Sequence, residues 1–596
     1  MKRFIWFGLA AYGCLGAALA GQPRRSVQTA DQRFAAAIAA VDARDLKRNP
    51  MKAIGRGDLS NVETIGDYFT DSRVTAQRND VAATLKDLAA IDRGALSPAN
   101  RIAYDTLRYR TEFRGRGLAP AIVAIDDAIP ISPTDGIQLT YPDFASSDGP
   151  APFRNVADYE NDLKRNADYA RTLDRAIAGF RRGVAAGIVL PKDAARRLIA
   201  QFDGFVAQPI DSSPFLSPVA KFPDAIGKAD RERLTAAYRA QITDVIVPAE
   251  RRVRDYLADD YMSHARDTIG LSDMKGGAAY YALSIEFATS LRLTPAQINQ
   301  MGLAEVARLK LAMDRQRQVI GFKGTVPELI ASMRADPRFQ PKSPGEVRDR
   351  FEAIRKTVEA HVATLIASPP TTPLTLRPIP EAYAAGAPIG AYRPGPPDGS
   401  RPGTFFYNTT DLPSRYTWLM DDVFLHEGIP GHHYQLSLAQ ENKAIPPFMR
   451  EGTNIAFEEG WGVYAETLWQ PLGLETDPYA RMGGLASEMA RAMRLVIDTG
   501  IHARGWSRQR AIDYLLTYAP VSRDDAAREI DRYIANPGQA LSYTVGELQI
   551  LDLRHQAERQ LGSRFDVRKF HTALLDSGAL PFPVLRGKMD SWLASQ

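Results

Sequence analysis

Cysteine is nearly missing from these 596 residues, and the one present, Cys14, lies inside an N-terminal apolar run. Beyond that run there is no thiol, which excludes disulfides, thiolate catalysis and cysteine-held metal, so any metal must be bound by His, Asp or Glu. An excess of charge of one sign is lacking too: the formal net charge is only +4, and composition makes no case for a nucleic-acid partner. Histidine numbers only eight. Internal repeats are lacking. What remains is ordinary globular composition, 45% hydrophobic and 24% charged, in a chain long enough for a sizeable core, as one two-lobed unit or several domains.

The N-terminus has its own pattern. Lys2 and Arg3 precede the apolar run "FIWFGLAAYGCLGAALA", which closes on Ala18-Leu19-Ala20. A basic start, an apolar middle and a small-residue ending read as a secretory signal peptide over 1–20, cleaved after Ala20. "AYGC" resembles a lipoprotein processing box, yet an aliphatic residue three places before Cys14 is absent and the apolar run continues past it. A cleaved periplasmic or secreted protein is therefore expected, without stable membrane insertion, and a lipoprotein is the less favoured alternative.

Apolar residues at three-to-four spacing predict long helices over Val156 to Ile188 and roughly over 30–48, 80–115, 229–264, 345–367, 450–475, 480–503, 508–518, 523–535 and 542–562. One helix start is explicit: Thr294 can cap, Pro295 suits the first position, and Gln297 completes a capping box. A Pro- and Gly-rich stretch, 368–413, interrupts this pattern and holds the best strand candidates, "LTLRPIP" and "GTFFYN". The expected fold is mainly α, large and two-lobed, with a small β element beside the segment that follows. The expected organisation is one unit over 21–596, with a helical part over 21–367, the Pro/Gly-rich segment and a site-bearing part over 414–596.

Three histidines fall within eight residues in "HEGIPGHHYQ", where His426-Glu427 opens like a zinc-peptidase helix. The usual second histidine, four positions on, is replaced by Pro430. On a straight helix His432 would be rotated by about 240° from His426, and His433 would lie about 10 Å further along, so neither could share an ion with it. Pro430 and Gly431 remove the objection, since proline breaks a helix and glycine accepts unusual backbone angles. A two-residue detour makes His426 and His432 the ligands, with Glu427 as base. A three-residue detour would select His433 instead. A hydrolytic zinc site needs a third ligand and an open position, and Glu458, Glu459 and Glu466 in "FEEGWGVYAE" are available downstream.

"HEGIPGHHYQ" and "FEEGWGVYAE", with the later "DTGIHARGWS" and "QALSYTVGEL", resemble the bacterial family called domain of unknown function 885 over essentially the whole mature chain. That resemblance implies a gluzincin-like zinc peptidase, related to angiotensin-converting enzyme and thimet oligopeptidase. It implies Zn2+ as cofactor, short peptides as substrates, and Glu459 as the third ligand. One departure is Val463, which stands where the aspartate orienting the first histidine is expected. The resemblance also makes Tyr543 the first oxyanion donor. His502 is second, oriented by Asp498 four residues earlier, and "GTFFYN" offers Phe406, Tyr407 and Asn408 as an edge strand for extended substrate. His264, His361, His555 and His571 have no metal-like neighbours. A non-catalytic binding or scaffold protein with a structural metal is the alternative.

Overall fold

Local signals explain most helix ends. Thr294 and Gln297 form the reciprocal capping box, and Pro295–Ile320 runs until Gly321 takes a left-handed conformation. The chain is seen in a computed structural model that describes residues 28–596 apart from 385–386, 397–398, 451 and 475. The expected signal peptide and Cys14 lie outside the described residues. Among those residues no helix is long and apolar enough to cross a membrane.

The fold is mainly helical, as the periodicity predicts. The expected helix over 80–115 is instead two, Ser72–Ala89 and Pro98–Gly117. Ser97 caps the second and Pro98 opens it, a start signal strong enough to divide an otherwise continuous apolar pattern. Val156–Ala186 centres one core, where Tyr169, Leu173, Ala176 and Phe180 pack with residues of Lys192–Ala207 and Val247–Tyr256. A second core gathers Phe34, Leu107 and Phe351, which precede the sheet segment, with Phe424, Phe457 and Trp461, which follow it. The segment 28–367 is thus shared between cores, and part of it supports the histidine-bearing helices directly.

The Pro/Gly-rich segment carries one three-stranded sheet of order β1-β3-β2, with β1 (Leu374–Pro378) parallel and β2 (Gly390–Arg393) antiparallel to β3 (Gly403–Tyr407). The sheet seats on the histidine-bearing segment through Phe405, whose ring centroid is 5.5 Å from Phe424 and 4.9 Å from Phe351. Strands β1 and β3 match the two predicted strands. The sequence reading missed β2, four residues beside a glycine-rich turn.

Candidate metal centre

His426 and Glu427 end the histidine helix, Met420–Glu427, and His432 begins the next, His432–Glu441. The detour is therefore a complete break rather than a bulge within one helix. Residues 428–431 fold back so closely that a Cβ on Gly431 would lie 1.9 Å from the His426 carbonyl oxygen, which only glycine permits. The Trp461 indole N–H fixes this turn by donating to the Pro430 carbonyl at 2.9 Å. The imidazoles of His426 and His432 thereby meet edge to face, with centroids 4.7 Å apart.

Trp461 lies on the glutamate helix, Ile455–Glu466, which Asn454 caps through the Phe457 N–H. Its Glu459 Oε2 is 3.4 Å from His426 Nε2 and 3.7 Å from His432 Nε2. Tetrahedral ligation at about 2.0–2.2 Å places ligand atoms roughly 3.3 Å apart, so this donor set fits one zinc ion. It is the only group of three His, Asp or Glu ligand atoms within 4.8 Å of one another among the described residues. His426 is buried, whereas the side chains of His432 and Glu459 keep 14% and 20% of their exposure. One side of the cluster therefore faces solvent, as an open coordination position requires.

Glu466 supplies what Val463 lacks. Its Oε1 accepts from His426 Nδ1 at 2.7 Å, and Arg491 donates to its other oxygen at 2.6 Å. A carboxylate can only accept here, so Nδ1 carries a proton, and Nε2 is the nitrogen left to bind a cation once its own proton is displaced. Burial disfavours charge on His426, but Glu459 and Glu466 outweigh it and raise its pKa to about 9. Partial burial disfavours charge on Glu459, yet the two histidines hold its carboxyl well below the usual range. In this arrangement the carboxylates and the imidazolium form of His426 stabilise each other. Glu427 is half-buried, with no hydrogen-bond or ion-pair partner among the described residues.

Tyr543 reaches the cluster because two helices touch backbone to backbone. The tyrosine helix, Ser542–Leu561, crosses the glutamate helix at Gly546 and Gly460, where a Cβ on Gly460 would lie 2.5 Å from the Gly546 Cα. The Tyr543 ring then lies 6.4 Å from the His426 ring, with the Arg494 guanidinium 4.5 Å from the tyrosine's ring centroid. Burial and the nearby Glu459 charge push the Tyr543 hydroxyl pKa up.

Other expected site residues go elsewhere. His433 is buried and turned to the sheet, its Nδ1 3.0 Å from the Tyr392 hydroxyl, so it is not an alternate ligand in this arrangement. His502 is 1% exposed, with Nε2 3.0 Å from the Tyr533 carbonyl, and burial lowers its pKa to about 4. Asp498 does not orient it: the Tyr281 hydroxyl at 2.6 Å and the Gly538 N–H at 3.1 Å occupy that carboxylate. Asp498 instead pins the turn before the tyrosine helix. The expected edge strand is the central one, paired on both sides, and cannot accept an added peptide. Tyr407 packs on Phe351, Asn408 donates to the Ala384 and Ala387 carbonyls, and Phe406 lies under Arg393. Sequence reasoning missed the orienting role of Glu466, although its place two turns after Glu459 on one helix face was a usable signal.

Fold and site define a mainly helical protein with a two-histidine, one-glutamate cluster. The chain belongs to the family described as bacterial protein of unknown function (DUF885), matched over residues 50–589. A solved structure of a "putative lipoprotein" from Colwellia psychrerythraea is similar at 26% identity and TM-score 0.81, covering 96% of this chain and all of that one. Another, a "putative lipoprotein of unknown function" from Shewanella oneidensis, shares the fold at 18% identity and TM-score 0.72, covering 94% of this chain and all of that one. No curated protein matches.

Proposed function

We propose that this protein is an exported zinc-dependent metallopeptidase acting on short peptides. The observation that supports it most is the convergence of His426 Nε2, His432 Nε2 and Glu459 Oε2, with Glu427, the residue after His426, without a hydrogen-bond or ion-pair partner among the described residues. A structural zinc site would be closed by a fourth protein ligand, and the nearest spare histidine, His433, is committed to Tyr392.

In this reading His426, His432 and Glu459 hold the ion, and Glu466 with Arg491 keeps the His426 ring in its ligating tautomer. Bound zinc supplies Lewis acidity, making a water more acidic and a carbonyl more electrophilic. Glu427 accepts a proton from the attacking water as the new C–O bond forms. It returns that proton to the leaving nitrogen as the C–N bond breaks. The Tyr543 hydroxyl donates to the carbonyl oxygen as negative charge grows there.

Glu427→Gln tests the proposal. Purified protein should retain its metal while cleavage of a mixed peptide library falls by about 10²-fold or more. Unchanged turnover in that variant, or no cleavage by zinc-loaded wild type, would refute the assignment. Export is tested at the N-terminus, because both structural neighbours carry lipoprotein in their names. Palmitate labelling abolished by Cys14→Ser would show lipidation and overturn cleavage after Ala20.

A further inference from the structure

A chamber of about 510 Å³ lies beside the metal cluster without sharing its ligands: Glu466 and Val463 line it, whereas His426, His432 and Glu459 do not. Its polar wall is mostly carboxylate. Glu305 pairs with Arg308 at 2.7 Å, Glu488 also meets Arg308, and Glu466 takes Arg491 at 2.6 Å. Arg481, the other guanidinium of the wall, lies over the Trp469 ring at 4.8 Å.

Glu547 differs from these. It is 3% exposed, lines the same chamber, and has no hydrogen-bond or ion-pair partner among the described residues. Burial, then the charges of Glu488 and Glu466, drive its carboxyl pKa well above the usual range. The Arg308 and Arg491 guanidiniums offset this only in part, so the charged form of Glu547 stays under-compensated, and a cationic ligand in the chamber is the chemistry that would stabilise it.

The shape narrows the ligand. No three ligand atoms in this wall approach within 4.8 Å of one another, so a bare metal ion lacks a cage. The volume falls in the usual range for small-molecule sites, and Leu548, Leu551 and Val463 give the chamber an aliphatic side. The geometry points to a binding site for a small organic cation, an alkylamine or alkylguanidine, whose charged end meets Glu547 and whose carbon chain lies along Leu548 and Leu551.

The test is calorimetric titration of the full chain with agmatine and with putrescine, with and without zinc. Saturable one-to-one binding is expected in both states, because the chamber shares no ligand with the metal cluster and no turnover is involved. Glu547→Gln keeps the shape of a neutral carboxyl and should weaken binding at least about tenfold. Leu551→Trp fills the chamber while leaving Glu547 in place and should abolish binding. Both variants should keep wild-type circular dichroism and zinc content. Absence of saturable binding to wild type, or equal binding to folded Glu547→Gln, overturns the proposal. So does displacement of agmatine by calcium but not by sodium at equal ionic strength, which would assign a metal site.

Discussion

Gly462 is where the glutamate helix makes room for the first histidine. A methyl carbon built there would lie 2.6 Å from Cε1 of His426 and 2.8 Å from each ring nitrogen. Contact begins near ~3.5 Å, so Gly462→Ala must move the ring or the helix by about 0.9 Å. The ring has little freedom, being tied to Glu466 at 2.7 Å and packed edge-on against His432. Metal-ligand distances tolerate only about 0.2 Å. Overpacking of this kind costs about 1–3 kcal/mol, which a chain of this size survives. The expected variant is therefore folded, with zinc affinity reduced about 10–100-fold, as when an orienting partner is lost. Competition against a chromophoric chelator measures it. Gly587→Ala is the control, since a Cβ there meets nothing within 4 Å. Wild-type zinc affinity in folded Gly462→Ala would refute the placement of His426 against this helix.

Glu466→Ala should weaken zinc binding by about 10–100-fold in the same chelator assay, and an unchanged value would remove Glu466 from the site. Tyr543→Phe should lower kcat about 10²-fold or more with metal content and KM little altered; a change confined to KM would assign the hydroxyl to substrate binding instead. Acid stability follows from His502 and His571, both buried and held near pKa 4, chiefly by burial, against an ordinary value of 6.5. Above pH 6.5 neither folded nor unfolded chain binds these protons. Between 6.5 and about 4 only the unfolded chain does, so stability falls with pH, by up to about 3 kcal/mol per histidine. Urea midpoints at pH 7.5 and 5 should show the loss, and a His571→Gln variant with the same pH slope would contradict it.

How far the sequence could be read depended on whether the information was local. Helix starts such as Thr294-Pro295-x-Gln297 satisfy their own backbone groups within four residues, so that helix lies where the pattern places it. The histidine pair was legible for a similar reason: only a break at Pro430-Gly431 lets the rings of His426 and His432 converge, and the helices do end and restart there. The misassigned residues all concern pairing between elements, which a periodic pattern within one element does not carry. Asp498 is four residues from His502 and shares its helix face, but Tyr281, 217 residues away, and the Gly538 N–H reach that carboxylate instead. "GTFFYN" reads as a strand, yet whether it lies at an edge was decided by "GAYR", too short to register in the pattern.

Glu466 shows where the two kinds of information meet. Its spacing from Glu459 is two helical turns, so the sequence places both carboxylates on one face. That one faces the cluster and the other the back of the same imidazole follows only from the helix crossing, where Gly462 admits His426 between them. The glycines of "FEEGWGVYAE" therefore carry as much of the site as its acids. Gly460 admits the tyrosine helix, Gly462 admits the histidine, and Trp461 between them holds the turn that brings His432 into reach. A side chain at either glycine would push apart elements that the site needs in contact.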